Sequence, residues 1–481
     1  MLTRRSFLAS AIAASSVSPA GAQSPAPSPT VLRLVRRTIE VNGKPASVFG
    51  ISQPDGVLGL TAETGGLFRV RLENHLDSPS LIHWHGLTPP WYQDGVPDIS
   101  APAVPPGGTV DYDFPLTFGG TYWMHSHYGL QEQLLMTAPL IIRDHSGSRD
   151  EQDVVILLND FSFTPPEEIF AALRKNFAPR TRIGHTGMPS MKADDNSSNP
   201  HHAMAMPSGG TKPNLNDVKY DAFLANSRTL ADPEIVKVEA GGTVTLRIIN
   251  GSSMSAYHVD VGQLEGELTA VDGHAVVPIK GRRFPAASSQ RLDIRLALPR
   301  GPGAYPILAM LEGERKQTGI ILAANKAMVK RLPHLAKETS PPLTLDLERR
   351  LRAISPLTAR PADRTHVLNL TGEMQIYQWS INNVAWMEET PPFPVKEGER
   401  VELIFVNQTM MAHPMHLHGH VFLVTAIDGN RFDGAMRDTV LVPPKTSVTV
   451  AFDANNPGWW ALHCHLAYHQ AAGMFATVRY V

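Results

Sequence analysis

Short runs in which apolar and polar residues alternate dominate this chain, and a period of two predicts β-strands. Three runs share a plan of glycine, alternating segment, asparagine and histidine: GLFRVRLENHLDSPSLIHWHG (66–86), GTVTLRIINGSSMSAYHVDVG (242–262) and GERVELIFVNQTMMAHPMHLHG (398–419). Three more share an ending: GTYWMHSH (120–127), GAYPILAM (303–310) and GWWALHCH (458–465). Beginnings and endings recur in the same order, which predicts an all-β protein of three homologous Greek-key β-sandwich domains.

The repeats also suggest where the domains begin and end. We expect them at 30–147, 150–326 and 345–481, which suits a chain of 481 residues. The middle domain carries a predicted short helix, TPPEEIFAALRKN (164–176), with a T-x-x-E capping pattern and early prolines. It is followed by an insertion over 184–210.

The first 22 residues have the pattern of an export signal. Arg4 and Arg5 precede a short apolar stretch and then a small-residue cleavage site, which is typical of a twin-arginine signal peptide. No later segment offers the run of about 18 apolar residues that a membrane helix needs. We therefore expect a periplasmic protein without a membrane span.

Charge and cysteine content narrow the function further. A net charge of −2 gives no reason to expect nucleic acid as a partner, and we expect a monomer. The only cysteine, Cys464, cannot form an internal disulfide. A thiolate committed to a metal is the better explanation for a lone thiol in an exported protein.

The three endings differ in their polar residues. Counting from the first glycine, positions five and seven are His125/His127, Leu308/Met310 and His463/His465, so the middle copy has lost its polar pair. His258, in the middle beginning, stands alone. Beyond the pairs, copy one has Gln131 where copy three has His469, and both have a methionine, Met136 and Met474.

Alternation along a strand separates the histidines from the cysteine. His463 and His465 should face one way and Cys464 the other, which predicts metal sites on both sides of one strand. Cys464, His469 and Met474, with His413 from a neighbouring strand, form a His₂Cys set with a weak thioether, typical of blue copper.

Eight further histidines form four H-x-H pairs, each projecting from one face of an extended segment. Eight converging imidazoles without a carboxylate favour copper, or less strongly zinc. The pairs are His83/His85, His125/His127, His416/His418 and His463/His465.

HWHG, HSH, HPMHLH and HCHLAYHQAAGM resemble the four copper motifs of the multicopper oxidases, over nearly the whole mature chain. The resemblance implies three cupredoxin domains and four copper ions. It implies type 1 copper at His413, Cys464, His469 and Met474, and type 2 copper at His83 and His416. It implies a type 3 pair with His85, His125 and His465 on one ion, and His127, His418 and His463 on the other.

The resemblance also implies a reaction. Single electrons from a reductant would pass through Cys464 to the three-copper cluster, which would reduce dioxygen to water. Asp94, in WYQDGVPD, resembles the acidic residue that family members keep near the cluster, and would relay protons; its alternative role is that of a turn residue before Gly95. Gln470 stands where some members carry an acid.

The reductant is the open question. The insertion 184–210 contains Met188, Met191, Met204 and Met206, and thioethers select Cu(I). Its composition also fits a flexible insertion without a ligand. We expect Cu(I) oxidation in copper tolerance; the alternatives are a laccase-like oxidase of phenols and aromatic amines, and a copper carrier or cupredoxin scaffold without enzyme activity.

Overall fold

A computed structural model describes residues 28–144, 150–176, 214–325, 327–373 and 375–481. Within these ranges the chain forms six β-sheets. Three consecutive sets of strands each form two of these sheets. The predicted all-β class is therefore confirmed. The segments 1–22 and 184–210 lie outside the described residues. None of the helices in the described ranges is long and apolar enough to cross a bilayer.

The first strand set forms two four-stranded sheets, ordered β2-β1-β4-β6 and β3-β8-β7-β5. Two 3-10 helices, Trp91–Gln93 and Gln131–Leu134, lie in its loops. Its strands are β1 (Thr30–Val41), β2 (Lys44–Ser52), β3 (Leu60–Glu63), β4 (Leu67–Asn74), β5 (Ile82–His85), β6 (Thr109–Pro115), β7 (Gly120–Ser126) and β8 (Thr137–Arg143).

The middle strand set forms sheets of six and five strands, ordered β10-β9-β12-β17-β14-β15 and β11-β19-β18-β13-β16. The predicted helix is present as α1 (Pro166–Asn176). The strands are β9 (Gln152–Phe161), β10 (Ala222–Ala225), β11 (Ile235–Val238), β12 (Thr243–Asn250), β13 (Tyr257–Asp260), β14 (Gly266–Val271), β15 (His274–Gly281), β16 (Arg283–Ala286), β17 (Arg291–Ala297), β18 (Gly303–Leu311) and β19 (Gln317–Ala324).

The third strand set also forms two sheets, ordered β21-β20-β23-β29-β25-β26, with β27 on β25, and β22-β31-β30-β24-β28. Two short helices, α2 (Asp346–Arg350) and α3 (Ala467–Ala471), accompany it. The strands are β20 (Arg364–Glu373), β21 (Gln378–Ile381), β22 (Phe393–Val395), β23 (Arg400–Asn407), β24 (His413–Leu417), β25 (Phe422–Ile427), β26 (Asn430–Arg431), β27 (Met436–Arg437), β28 (Thr439–Val442), β29 (Ser447–Asp453), β30 (Trp459–Cys464) and β31 (Phe475–Tyr480).

The asparagine shared by the three beginnings has one structural task in all three sets. Asn74, Asn250 and Asn407 are buried at the ends of β4, β12 and β23. In each, the amide donates to two main-chain carbonyls, and Oδ1 accepts from the main-chain N–H two residues later. These bonds fix the loop that leads to the histidine strand. The domain boundaries given above stay a prediction.

Candidate metal centre

Eight imidazoles meet between the first and third strand sets, because four strands present their H-x-H faces to one another. In β5 and β7, His83 lies opposite His125, and in β24 and β30, His416 lies opposite His463. Three groups have candidate ligand atoms that all lie within 4.8 Å of one another: His83, His85 and His416; His85, His125 and His465; and His127, His418 and His463.

The ring nitrogens face one another across this centre. The Nε2 atoms of His83 and His416 are 3.4 Å apart, and those of His125 and His465 are 3.3 Å apart. Each of these contacts joins the first strand set to the third. The centre is thus assembled from two parts of the chain that are far apart in sequence.

On several of these rings, the nitrogen that faces away from the centre has a hydrogen-bond acceptor. The Nδ1 of His418 donates to Asp94 Oδ2 over 2.8 Å, and that of His83 donates to the Asp94 carbonyl over 2.9 Å. His125 Nδ1 lies 2.9 Å from Glu132 Oε2, and His85 Nε2 lies 3.0 Å from Asp438 Oδ1. Such acceptors fix the tautomer and leave the other nitrogen free for a metal.

Electrostatics favour a cation at this centre. Burial lowers the pKa of His463 to about 4, and burial also lowers the pKa of His85 and His416, so the imidazoles are neutral ligands at neutral pH. Asp94 and Glu132 are buried, and among the described residues their ion-pair partners are imidazoles and no lysine or arginine. Buried carboxylates without a cationic partner are costly, and a metal ion would offset that cost.

His127 gives a further indication that this centre fits a metal ion. Its Nε2 atom is buried without a hydrogen-bond partner in the part of the chain that is described. Buried polar atoms are normally paired, so this atom fits a metal ligand.

The candidate site that contains Cys464 lies on the other face of β30. Cys464 Sγ is 3.6 Å from His413 Nδ1 and 3.9 Å from His469 Nδ1, and these two nitrogens are 3.2 Å apart. Burial raises the pKa of the Cys464 thiol, so a metal would have to displace its proton. Met474 is fully buried, and its carbonyl accepts the Cys464 N–H over 3.1 Å. This donor set fits copper.

Asp217 links the Cys464 site to Asn214, which is exposed to solvent. Its Oδ2 accepts from His469 Nε2 over 3.1 Å and from the Tyr377 hydroxyl over 2.9 Å, and its Oδ1 accepts from the Asn214 amide over 2.6 Å. Burial alone would raise the pKa of Asp217, but its electrostatic interaction with His469 and hydrogen bonds from His469, Tyr377 and Asn214 outweigh it and lower that pKa. The carboxylate is therefore charged at neutral pH.

Asn214 lines a mainly apolar cavity of about 360 Å³. The cavity also contains Met254, Met410 and Glu312, and it reaches Ala412, the neighbour of His413. Burial raises the pKa of Glu312 to about 7.

Sequence reasoning missed four acidic residues beside the two sites: Glu132, Asp217, Asp438 and Glu312. No repeat or spacing distinguishes a single acid. The available signal was a charged residue within an apolar strand pattern, as in AMRDTVLV around Asp438. Gln470, the residue after His469, has its amide nitrogen 3.4 Å from His127 Nδ1.

The structure brings together eleven of the twelve predicted ligands, and it places the main chain of the twelfth, Met474, beside that of Cys464. Their roles as copper ligands stay a prediction. Asp94 lies at the centre rather than in an exposed turn. Met188, Met191, Met204 and Met206 lie outside the described residues.

Three family models match the chain, each described as multicopper oxidase, over residues 36–147, 185–327 and 359–481. The chain is 30% identical to the multicopper oxidase MmcO of Mycobacterium tuberculosis, over 88% of this chain and 81% of that protein. It is 25% identical to copper resistance protein A of Pseudomonas syringae, over 96% and 95% of the two chains.

Solved structures with the same fold are also multicopper oxidases. The structure of Fet3p, described as a multicopper oxidase that functions in iron import, has a TM-score of 0.76 at 18% identity and covers 94% of this chain and 90% of its own. A laccase from Botrytis aclada has a TM-score of 0.71 at 22% identity and covers 94% and 88%. At these identities the likeness supports the cupredoxin fold alone.

Proposed function

This chain belongs to the multicopper oxidase family, and we propose that it binds four copper ions and couples oxidation of Cu(I) to the four-electron reduction of dioxygen to water. The proposed type 1 ligands are His413, Cys464, His469 and Met474. The proposed type 2 ligands are His83 and His416. The proposed type 3 ligands are His85, His125 and His465 on one ion, and His127, His418 and His463 on the other.

Bound copper would supply the one-electron redox chemistry and the site of dioxygen reduction. The chain supplies neutral imidazoles, a thiol and a buried environment. Cys464 is covalently adjacent to His463 and His465, so the two sites are connected through the backbone of β30 and its continuation. Three acids beside the cluster, Asp94, Glu132 and Asp438, orient the imidazoles.

Asp94 is our candidate for proton relay. Its Oδ2 accepts from His418 Nδ1, whereas its Oδ1 is buried and lies 3.1 Å from His83 Nδ1, a nitrogen that already donates to the Asp94 carbonyl. Oδ1 therefore has acceptor capacity that the described protein atoms do not use. A carboxylate oxygen in this state can accept a proton and pass it on.

The observation that carries the choice of Cu(I) is the hydrogen-bonded link from the cavity to His469. An electron donor that reaches Asn214 is two hydrogen bonds, through Asp217, from the proposed type 1 ligand His469. Asp217 is negatively charged at neutral pH, which attracts a cationic reductant more than a neutral phenol.

Soft ligands add to this preference. Met254 and Met410 both line the cavity, and thioethers favour Cu(I). A relative over nearly the full length is named a copper resistance protein. The methionines of 184–210 would extend the same chemistry. In keeping with this role, we propose a periplasmic location with export by the twin-arginine signal at 1–22.

A laccase-like activity is the second candidate, and one observation favours it. The cavity is mainly apolar and contains one carboxyl, Glu312, whose pKa of about 7 suits it to accept a phenolic proton. Two relatives at 25% identity are laccases from Cryptococcus neoformans.

Steady-state oxygen consumption with Cu(I) and with a phenol, on one preparation, separates the two candidates. Met410→Leu removes a thioether and keeps the apolar volume; Met387→Leu is the matched control, because Met387 is exposed and does not line the cavity. We expect Met410→Leu to raise KM for Cu(I) roughly fivefold, equivalent to about 1 kcal/mol, with phenol oxidation unchanged. Fast phenol oxidation with Cu(I) kinetics equal in wild type and both variants would favour the laccase.

A further inference from the structure

A network of buried charges links the middle strand set to the proposed copper cluster. It contains two arginines and three carboxylates, all buried: Arg291, Arg437, Asp272, Asp438 and Glu348. Among the described residues, Asp438 is the member of this network that pairs with histidines of the cluster, His85 and His416. The other members have no part in the mechanism proposed above. Buried charges are costly unless paired, so a role for this network needs an explanation.

Arg291, the first residue of β17, holds Asp438 with a two-pronged ion pair. Nη1 donates to Asp438 Oδ1 over 2.7 Å, and Nη2 donates to Oδ2. Its Nε donates to the Thr121 carbonyl over 3.2 Å. One side chain of the middle set thus binds both the first and the third set. Paired N–H groups in a planar fork fix the orientation of a carboxylate as a single charge does not.

The oriented Asp438 carboxylate in turn fixes the orientation of the His85 ring. Its Oδ1 accepts from His85 Nε2 over 3.0 Å, and His85 Nδ1 then faces His125 Nε2 at 3.4 Å. His85 therefore presents Nδ1 to the centre, whereas His83 and His416 present Nε2. The tautomer with its proton on Nε2 is the one that can bind metal here, and Asp438 selects it.

Gly86 is a second, independent sign that the local chain is shaped around this ion pair. Gly86 has φ of +90°, and a Cβ at this position would lie 2.6 Å from Arg291 Nη2 and 2.7 Å from Asp438 Oδ2. Any other residue would both strain the backbone and displace the pair. The glycine that ends HWHG thus makes room for an arginine from another domain.

We propose that Arg291 is a positioning residue for the copper cluster, acting through Asp438 on His85. The middle strand set lacks the H-x-H pairs, and this side chain is its contribution to the metal centre. The inference rests on the proposed function in one respect, that His85 is a copper ligand.

The test compares two buried arginines of the same network. Arg291→Met leaves Asp438 without a cation within ion-pair distance among the described residues. Arg437→Met is the matched control, because Arg437 binds Glu348 and Asp272 but not the Asp438 carboxylate. Copper-loaded proteins are titrated with a chelator, and the copper lost from the cluster is measured by paramagnetic resonance and metal analysis, with the blue absorption as the type 1 readout.

We expect cluster copper to be lost at about 10–100-fold lower chelator in Arg291→Met, with the blue band retained, and no such shift in Arg437→Met. Both variants should lower the melting temperature. Equal copper retention in the two variants, or equal loss, would overturn the proposal.

Arg291→Lys covers the case in which Arg291→Met does not fold. Lysine keeps the buried charge but loses the two-pronged geometry, so we expect a smaller shift of the same kind. A folded Arg291→Lys with wild-type retention of cluster copper would also refute the positioning role. Wild-type protein that binds no cluster copper would instead contradict the proposed function, so the two failures are distinguishable.

Discussion

The middle and third strand sets pair equivalent strands, β13 with β18 and β24 with β30, but they differ both in register and in side chains. In the third set His416 lies opposite His463, and in the middle set His258 lies opposite Met310. His258 Nε2 lies 3.0 Å from the Pro341 carbonyl, and no second imidazole faces it within the described ranges. The middle set therefore differs from the third in register as well as in residue identity, and it places a methionine rather than an imidazole opposite His258.

We expect the largest effect when Cys464 is replaced by serine, the residue at the equivalent position of the first set. Ser126 occupies the position between the histidines in the first set. We expect Cys464→Ser to be colourless and to lose oxidation of every reductant, because a hydroxyl cannot provide the thiolate-to-copper transition. Absorption spectra and copper content check this, and a wild-type protein with full copper and no blue band would contradict the assignment.

Loss of one cluster histidine should stop oxygen reduction while the colour stays. His127→Ala removes a side chain whose middle-set counterpart is Met310. His127 lies in the group with His418 and His463, whereas Cys464 lies in a separate group with His413 and His469. We expect oxygen consumption to fall to background in a protein that is still blue. Normal consumption by a stable variant with full copper would refute the placement of the cluster.

Substitution of the shared asparagines compares the stability of the middle and third strand sets. Asn250→Ala removes two donated bonds and one accepted bond in a buried loop. Asn407→Ala removes the same three, and also the bond that Oδ1 accepts from the Thr409 hydroxyl. We expect each to cost about 2–4 kcal/mol of unfolding free energy, measured by chemical denaturation. A much larger loss in one of them would show that the two frames are not equivalent.

Only the third-set variant should also change the colour. Asn407 Oδ1 accepts from the Thr409 hydroxyl over 2.8 Å. The same Thr409 hydroxyl oxygen lies 2.8 Å from His413 Nε2. We therefore expect a shifted blue band in Asn407→Ala and an unchanged band in Asn250→Ala.

The sequence predicted what depends on local periodicity. Period two places His463 and Cys464 on opposite faces, and the repeated motifs reveal three domains, so the fold class and the converging histidines followed from the chain alone. Arg291, Asp217 and Asp438 did not follow, because their contacts join residues separated by 147 and 252 positions. Such contacts depend on how the domains pack, which leaves no periodic signal.

The smallest expected effect tests whether His258 has any role besides packing. In His258→Gln, the amide can still donate to the Pro341 carbonyl, so we expect unchanged copper content and colour, and a change in unfolding free energy below about 1 kcal/mol. A loss of copper would mean that the middle frame still takes part in metal binding.

The pH dependence of the same variant provides a sharper test. Burial lowers the pKa of His258 from 6.5, with the Pro341 hydrogen bond only partly opposing it. The unfolded chain therefore binds a proton more readily than the folded one, and His258 must reduce stability as pH falls below about 6.5. In the copper-loaded protein the ligand histidines are held by metal, so the difference between wild type and His258→Gln isolates this residue. We expect the variant to gain stability relative to wild type as pH is lowered from 7 towards 5. Parallel stability curves would show that His258 titrates alike in both states, and that the side chain is not held in the buried frame.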